Sequence, residues 1–446
     1  MAANTKTSAG ALTLAALALF AGTAVAAPGD TALISRQSAA GGGAGVDASA
    51  LNATISGNGR FIAFETRATN LGGPAEDVTN VYVYDRERRR AQLVSRQSDA
   101  AGGAGADASS FDSVISANGR FIAFTTLATN LGGPAADAVN IYVYDRTRRR
   151  VELVSRRSES EGGQGADAAS RLASISADGR FVAFESEAGN LGGPIGPSGN
   201  VYVYDRIRDR VELVSRRSGV DGEGTDASAR FPSISADGRF VAFETDADNL
   251  GGPAQDVTNV YVHDRVRRKT SLVSRRGKAR GGEGADDTAE KASISANGRF
   301  IAFQTDADNL GGPIAGPTNI YVRDLERRTT RLVSRRSASA GGRGADSSSA
   351  AASISADGRS IAFETVADNL GGPIDASSNA YVYDRAAKRV RLVSRRSRDT
   401  GGGGANESSR LPWISANGHF VAFQTNAANL GGPIADVSNI YRHHLR

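Results

Sequence analysis

The chain has 446 residues, and its 53 basic and 48 acidic side chains give a formal net charge of +5. It contains no cysteine, which excludes disulfides, thiolate metal sites and a cysteine nucleophile. Glycine is abundant, at 53 residues, and helix-forming runs are scarce after residue 27, so the composition indicates an all-β protein with many turns.

The N-terminal segment has the pattern of a secretory signal peptide, predicted over residues 1–26. Lys6 supplies a positive charge, 9–21 is a short apolar run, and Ala24-Val25-Ala26 fits the small-residue cleavage site. The alternative, a membrane anchor, would need a longer apolar run to span a bilayer. We therefore expect an exported protein, periplasmic or extracellular, whose mature chain 27–446 has no transmembrane segment.

One ten-residue pattern recurs seven times, first as Ile55-Ser56-Gly57-Asn58-Gly59-Arg60-Phe61-Ile62-Ala63-Phe64. Its last glycine recurs every 60 residues, with one interval of 59, at Gly59, Gly119, Gly179, Gly238, Gly298, Gly358 and Gly418. A fixed period of this size indicates a repeat architecture.

Each copy predicts four antiparallel strands, which in the second copy are 108–116, 120–125, 141–144 and 151–155. Asn118-Gly119 between the first two strands favours a two-residue type I′ hairpin, which needs positive φ at both positions. The second strand is a near-continuous apolar run, as expected for a strand buried on both faces. Four such strands per repeat predict a propeller blade.

The ends of the chain predict how the ring closes. The last copy stops after its third strand, and Ala32-Leu33-Ile34-Ser35-Arg36 at the other end resembles the fourth-strand pattern Gln92-Leu93-Val94-Ser95-Arg96. The N-terminal strand would complete the last blade and leave no unpaired edge between blades. We predict a closed seven-bladed β-propeller over 27–446.

The repeat resembles a known family. Ser233-Ile234-Ser235-Ala236-Asp237-Gly238-Arg239-Phe240-Val241-Ala242-Phe243, followed by Asn259-Val260-Tyr261-Val262, is similar to the WD40-like (PD40) repeat of TolB-type β-propellers. The resemblance covers essentially the whole mature chain and implies an exported protein of bacterial type. Propellers of this family serve as periplasmic scaffolds, carbohydrate-active enzymes and accessory domains of serine peptidases.

An oxygen-bearing side chain precedes every first strand. If the first strands line the central channel, these side chains form a ring at its mouth that could hold Ca²⁺ or a polar ligand. The alternative is that each one accepts backbone N–H bonds within its own glycine-rich loop. The seven residues are Asp47, Asp107, Asp167, Asp226, Asp286, Asp346 and Asn406.

The other long connection carries an asparagine before Leu-Gly-Gly-Pro and another where it ends, as at Asn70 and Asn80. Amide side chains at both ends of a loop most simply fasten it. We expect these asparagines to be structural.

The short turns should lie together on the opposite face, and they are basic. Such a face could attract an acidic polysaccharide, anionic lipid or an acidic protein. Nucleic acid is not expected, because no aromatic residues are interleaved for base stacking. A solvated charged surface is the alternative interpretation. The candidate residues are Arg88, Arg89, Arg148, Arg149, Arg208, Arg267, Arg268, Arg327, Arg328 and Arg389.

Few residues point to catalysis. No Gly-x-Ser-x-Gly motif occurs, and the four histidines are scattered. His263 replaces a strand tyrosine, whereas His443 and His444 are expected at a frayed or edge position near the chain end. Trp413, the single tryptophan, falls within a first strand, where it either lines the channel or is a packing variant.

The leading hypothesis is a non-enzymatic, monomeric binding or scaffolding propeller for a protein or an anionic cell-envelope polymer, without a cofactor. Near-identical blades leave no asymmetric pocket of the kind catalysis needs. One alternative is a carbohydrate-active hydrolase or lyase that uses channel carboxylates such as Asp107, Asp112 and Asp167. Asp112 has no acidic counterpart in the other copies. A calcium-stabilised propeller is the third hypothesis.

Overall fold

A computed structural model describes residues 29–74, 78–133, 138–193, 199–252, 257–277, 282–312, 317–373, 377–432 and 437–445. The predicted signal segment 1–26 lies outside the described residues. Within these ranges, no helix is both long and apolar enough to cross a membrane.

The described residues form seven four-stranded antiparallel sheets, which make up a seven-bladed β-propeller. In six sheets the strands follow in sequence order, and in the seventh the N-terminal strand pairs with the last strand of the chain. Blades 1 to 7 have as first strands Ala50–Ile55, Ser110–Ile115, Ser170–Ile175, Ala229–Ile234, Ala289–Ile294, Ser349–Ile354 and Ser409–Ile414. The second strands are Phe61–Thr66, Phe121–Thr126, Phe181–Ser186, Phe240–Thr245, Phe300–Thr305, Ser360–Thr365 and Phe420–Thr425. The predicted all-β, closed seven-bladed architecture is confirmed.

The outer half of each blade contains the third and fourth strands. The third strands are Asn80–Asp85, Asn140–Asp145, Asn200–Asp205, Asn259–Asp264, Asn319–Asp324, Asn379–Asp384 and Asn439–His444. The fourth strands are Arg90–Leu93, Arg150–Leu153, Arg210–Leu213, Lys269–Leu272, Thr329–Leu332 and Arg389–Leu392, with Thr31–Leu33 in blade 7. Every third strand is buried along its whole length, because it lies between two strands of its blade and between two blades.

Short 3-10 helices occur in the long connections. After fourth strands they are Ala39–Gly41, Asp99–Ala101, Glu159–Glu161, Ala338–Ala340 and Arg398–Thr400. After second strands they are Gly189–Leu191, Asp248–Leu250, Asp368–Leu370 and Ala428–Leu430.

The first strands are innermost, and those of neighbouring blades contact each other around the central channel. Each one carries a β-bulge. In blade 1, Leu51 pairs with Glu65 and Thr54 with Ala63, so one extra residue lies between these pairs, and Asn52 has a positive φ of 51°. A bulge bends a strand and re-aims its side chains. The sequence pattern did not reveal it.

The hairpin between the first two strands is not the predicted type I′ turn. Only its glycine has positive φ, 69° at Gly119, and the Gly119 N–H donates to the Ser116 carbonyl at 2.9 Å. The Asn118 side chain accepts hydrogen bonds from the Ser116 hydroxyl at 2.7 Å and from the Arg120 N–H at 2.9 Å. These bonds close a longer turn in which the asparagine keeps an ordinary backbone conformation.

The same glycine joins neighbouring blades. A Cβ on Gly119 would overlap the ring of Phe61 in blade 1, so only glycine lets the two blades approach. The guanidinium of Arg60 lies 4.8 Å from the centroid of that ring, and that of Arg146 from blade 2 lies 3.9 Å from it. Arg146 also donates to the Gly119 carbonyl at 2.6 Å. The Gly-Arg-Phe part of the repeat is therefore an inter-blade contact.

The apolar core also lies between blades rather than within them. Val81 and Val83 of blade 1 belong to one buried cluster with Ile122, Phe124 and Tyr142 of blade 2. Clusters of the same kind recur around the ring. A single blade cannot bury its faces alone, so stability depends on the neighbours.

The N-terminal strand closes the ring as predicted. Leu33 pairs with Tyr441 and Thr31 with His443 in antiparallel register. Because the third strand is thereby paired on both sides, His443 and His444 are 4% and 8% exposed. The prediction of a frayed or edge position for these two histidines is wrong.

A serine after each of several fourth strands reaches the next blade. The Ser98 hydroxyl accepts the Val151 N–H at 2.9 Å. At the closing blade, the Thr31 N–H donates to the Ser397 hydroxyl at 2.9 Å, and that hydroxyl donates to the Thr31 carbonyl at 3.1 Å. Blade 6 thus holds the closing strand from outside.

Removing the closing strand should weaken the whole ring. A chain that begins at Gln37 lacks the Thr31–Leu33 ladder and exposes the edge of blade 7, so we expect its melting temperature to fall by on the order of 10 °C. The matched control is a chain that begins at Pro28 and keeps the strand. Equal melting of the two variants by circular dichroism would contradict the closure.

Candidate functional site

The predicted oxygen ring fastens loops. Asp47 accepts the Thr69 N–H at 2.9 Å and the Thr69 hydroxyl at 2.7 Å. Burial alone would raise the pKa of the Asp47 carboxyl, but these hydrogen bonds hold it below its usual value. Equivalent N–H bonds reach the other six residues, Asp107, Asp167, Asp226, Asp286, Asp346 and Asn406. The donors come from the connection after the second strand, not from the same glycine-rich loop.

None of the seven lies among the residues that line the channel cavity. In the described part of the chain, no three histidine or acidic side chains are grouped so as to hold a metal ion. Binding of Ca²⁺ remains a prediction from the sequence.

The asparagines tie the two long connections together, as expected. The Asn70 side-chain amide donates to the Gly45 carbonyl at 2.9 Å. Asn80 accepts the Ser95 hydroxyl at 3.0 Å and donates to the Val78 carbonyl at 3.2 Å. Part of the Gly-Gly-Pro turns, including Pro134, falls outside the described residues.

The short-turn face has an inner and an outer ring. The inner ring consists of the arginine after the hairpin glycine and the aspartate that ends the third strand. Its charges are neutralised, because Arg60 contacts both carboxylate oxygens of Asp85, at 2.9 and 2.7 Å. The pair recurs in blades 2 to 6. In blade 7, His419 and His444 take these places, and His444 stacks on Phe420 at 4.5 Å between ring centroids.

The outer ring comprises the turns between third and fourth strands of blades 1 to 6, and it is strongly cationic. Its three acidic residues are Glu87, Asp209 and Glu326. Its 20 basic residues are Arg86, Arg88, Arg89, Arg90, Arg146, Arg148, Arg149, Arg150, Arg206, Arg208, Arg210, Arg265, Arg267, Arg268, Lys269, Arg327, Arg328, Arg385, Lys388 and Arg389. All ten predicted arginines of this face are exposed. The interspersed Ile207 and Val266 are 72% and 73% exposed.

A cavity of about 830 Å³ continues this ring at the seam between blades 6 and 7. Arg389, Arg391, Arg395 and Arg398 line it together with His443, and no carboxylate occurs among its described lining residues. At the seam of blades 2 and 3, by contrast, Glu152 pairs with Arg206 at 2.7 Å. Arg391 stands at the position of Glu152, so a basic residue replaces the acidic one at this seam.

His443 does not add charge to this cavity. Its Nδ1 lies 2.8 Å from the Thr31 hydroxyl, which itself donates to the Arg395 carbonyl. Burial, together with the nearby Arg395, lowers the pKa of His443 to about 3. The imidazole is therefore neutral at physiological pH.

The central channel encloses a cavity of about 570 Å³. Trp413 lines it and is 42% exposed, which confirms the channel interpretation of this residue. Asp112 also lines it, and burial raises the pKa of its carboxyl against the opposing effect of Arg171. Asp107 and Asp167 do not line this cavity, so the three carboxylates considered for catalysis are not brought together.

Sequence reasoning missed a set of buried or half-buried polar side chains in the second strands. They are Glu65, Glu185, Glu244, Gln304, Glu364 and Gln424, with Thr125 in blade 2. Glu65 is 3% exposed and accepts the Ser113 N–H of blade 2 at 3.0 Å. Glu364 accepts the N–H of the bulge residue Leu411 at 2.5 Å. The signal was present as one polar residue at a fixed place in an otherwise apolar strand.

These carboxyls make stability depend on pH. Burial raises the pKa of Glu65 to about 7 from 4.5. Between these values the folded chain binds a proton that the unfolded chain has released, so the free energy of unfolding falls as pH rises through this window.

Replacing the Glu65 carboxyl with an amide should remove the share of this pH-dependent loss of stability that Glu65 causes. We expect E65Q to retain the fold, because Gln304 and Gln424 already occupy this position. The free energy of unfolding of E65Q minus that of the parent should increase from pH 5 to pH 8, by on the order of 3 kcal/mol. Urea unfolding at both pH values measures this. An unchanged pH dependence, or a variant weaker than the parent at pH 8, would contradict the assignment.

No protein-family model matches the chain, and no curated protein matches it either. Solved structures share its fold. Oligogalacturonate lyase from Vibrio parahaemolyticus aligns with a TM-score of 0.53 at 13% identity, over 94% of this chain and 99% of the lyase. The propeller domain of the Trilobed protease from Pyrococcus furiosus aligns with a TM-score of 0.51 at 12% identity, over 89% of this chain and 95% of that domain.

TolB from Acinetobacter baumannii aligns with a TM-score of 0.40 at 15% identity, over 82% of this chain and 77% of TolB. At such identities the likeness concerns the β-propeller fold. The Trilobed protease propeller is described as having an open velcro topology, whereas the strand Thr31–Leu33 closes the ring here.

Proposed function

We propose that the protein is an exported, non-enzymatic propeller that binds an acidic polysaccharide of the cell envelope. The observation that carries this proposal is the outer ring, whose six turns hold 20 basic and three acidic side chains in a chain of net charge +5. Excess charge of one sign on one surface attracts polymers of the opposite sign. The signal pattern of residues 1–26 supports action outside the cytoplasm.

The arrangement of the charges favours a polymer. The basic turns follow one another around the circumference of six blades, so a long ligand can contact several turns at once. Arg389, Arg391 and Arg395 then offer guanidinium groups around the seam cavity. Guanidinium matches the geometry of a carboxylate, which makes this cavity suited to an acidic sugar residue.

Nucleic acid fits this surface less well. The six turns contain no aromatic residue on which bases could stack. An acidic polysaccharide needs charge and hydrogen-bond donors, which arginine supplies.

The channel supports binding more than hydrolysis. Asp112 is the one acidic side chain among the described residues that line it. Glycoside hydrolysis by the usual mechanisms requires two carboxyl groups about 5–9.5 Å apart. The carbohydrate-active hydrolase therefore remains the weaker hypothesis.

Binding to alginate, with neutral dextran as comparison, tests the proposal. The variant R148A/R327A/R389T introduces residues that other blades carry at the same positions, Ala387 and Thr329, so the fold should persist. We expect saturable, salt-sensitive binding of alginate by the parent and about a ten-fold loss of affinity in the variant. Isothermal titration calorimetry at two salt concentrations measures both.

A control removes two arginines from first strands, away from the outer ring. R171A/R410A uses the alanine found at Ala350 and should bind alginate like the parent. If both variants lost alginate affinity equally, net charge alone would explain the effect and the proposed role of the outer ring would be wrong. Binding to phosphatidylglycerol vesicles without binding to alginate, lost in I207S/V266S, would overturn the polysaccharide in favour of a membrane surface.

A further inference from the structure

The side chains that face the channel differ from blade to blade. All seven first strands end in isoleucine, as at Ile55 and Ile414. Three residues before it, at the bulge, the copies carry asparagine, aspartate, leucine twice, phenylalanine, lysine and alanine. The cavity is thus lined by different side chains on each side of a symmetric scaffold.

The backbone at the bulge holds these side chains under strain. Leu172, Phe231 and Lys291 have φ of 52°, 51° and 51°, in the left-handed region. Non-glycine residues pay roughly 1–2 kcal/mol there. Glycine would avoid this strain, yet every blade presents a side chain to the cavity. The same conformation occurs at this position in all seven blades, so the bulge directs one side chain of every blade to the cavity.

At the position of Trp413, this chain lacks an inter-blade hydrogen bond that the corresponding residues of other blades make. In blades 3 to 6 this position is a serine, and the Ser353 hydroxyl accepts the Ile414 N–H of the next blade at 2.9 Å. The Ser174 hydroxyl accepts the Ile234 N–H at 3.0 Å in the same manner. An indole has no acceptor and cannot replace the serine. A half-exposed tryptophan in the cavity is therefore not explained by packing.

The order of the blades sets the geometry of the cavity. In a ring of seven, blade 7 lies opposite blades 3 and 4, so Trp413 and Leu411 face Leu172 and Phe231 across the channel. Blades 2 and 5 lie on the two remaining sides. Asp112 and Lys291 line the cavity there, one negative and one positive.

We propose that the channel is a binding site for a short peptide with aromatic side chains and both termini free. The aromatic groups lie against the two apolar walls. The terminal ammonium is directed to Asp112 and the terminal carboxylate to Lys291. The volume of about 570 Å³ is in the range of small-ligand pockets. This site is independent of the basic outer ring.

The single tryptophan makes the site directly observable, because Trp413 is the only one in the chain. The probe is the dipeptide Phe-Phe, followed through Trp413 fluorescence. We expect a saturable change in emission. Gly-Gly, which has the charges without the rings, should cause none. N-acetyl-Phe-Phe-amide, which has the rings without the charges, should bind at least ten-fold more weakly.

Variants borrowed from other blades keep the test falsifiable. D112N uses the residue of blade 1, and F231A and K291A use that of blade 6, so all three should fold, as circular dichroism can verify. Each should weaken Phe-Phe binding about ten-fold, whereas R148A on the outer ring should not. No saturable signal up to millimolar dipeptide, equal binding of the blocked dipeptide, or unchanged affinity in F231A would overturn the proposal.

Discussion

Six of the seven seams between neighbouring blades share one contact, a phenylalanine packed against a glycine of the next blade with one or two arginines over its ring. In blade 1 the Phe61 ring lies between Arg60 of its own blade and Arg146 of blade 2, against Gly119. Cation–π contacts contribute roughly 0.5–2 kcal/mol each, and their repetition positions the apolar clusters that lie between blades. A chain without disulfides gains its stability from these seams and from closure of the ring.

Three seams vary this pattern: Leu325 replaces the second arginine in blade 5, Ser360 replaces the phenylalanine in blade 6, and blade 7 uses a different arginine. In blade 7, Arg442 replaces the valine of the other third strands and is fully buried. Its guanidinium lies 4.3 Å from the Phe420 centroid and donates to the Gly59 carbonyl at 3.3 Å. Burial lowers the pKa of Arg442 to about 9. A different residue thus restores the same cation over the same ring.

Much of the fold was predictable, because the repeated residues indicate the repeat period, the order of the strands and the closure of the ring. The turn type was not, since Asn118 uses its side chain rather than a left-handed backbone to close the hairpin. The bulge at Asn52 and its acceptor Gln424 in blade 7 belong to one inter-blade interaction that no single-strand pattern displays. The sequence placed Trp413 on a first strand and the arginines in the short turns, whereas the seam cavity arises only when blade 6 meets the closing strand.

Repetition builds the scaffold and places the basic turns of the outer ring side by side. Hydrogen–deuterium exchange of the protein with and without alginate tests the central functional claim most directly. We expect slower exchange in the turns 146–150, 327–329 and 385–389 and in the closing strand beside the seam cavity, with no change in the long connections of blades 1 to 4. Protection confined to those long connections, or none at saturating alginate, would contradict the claim.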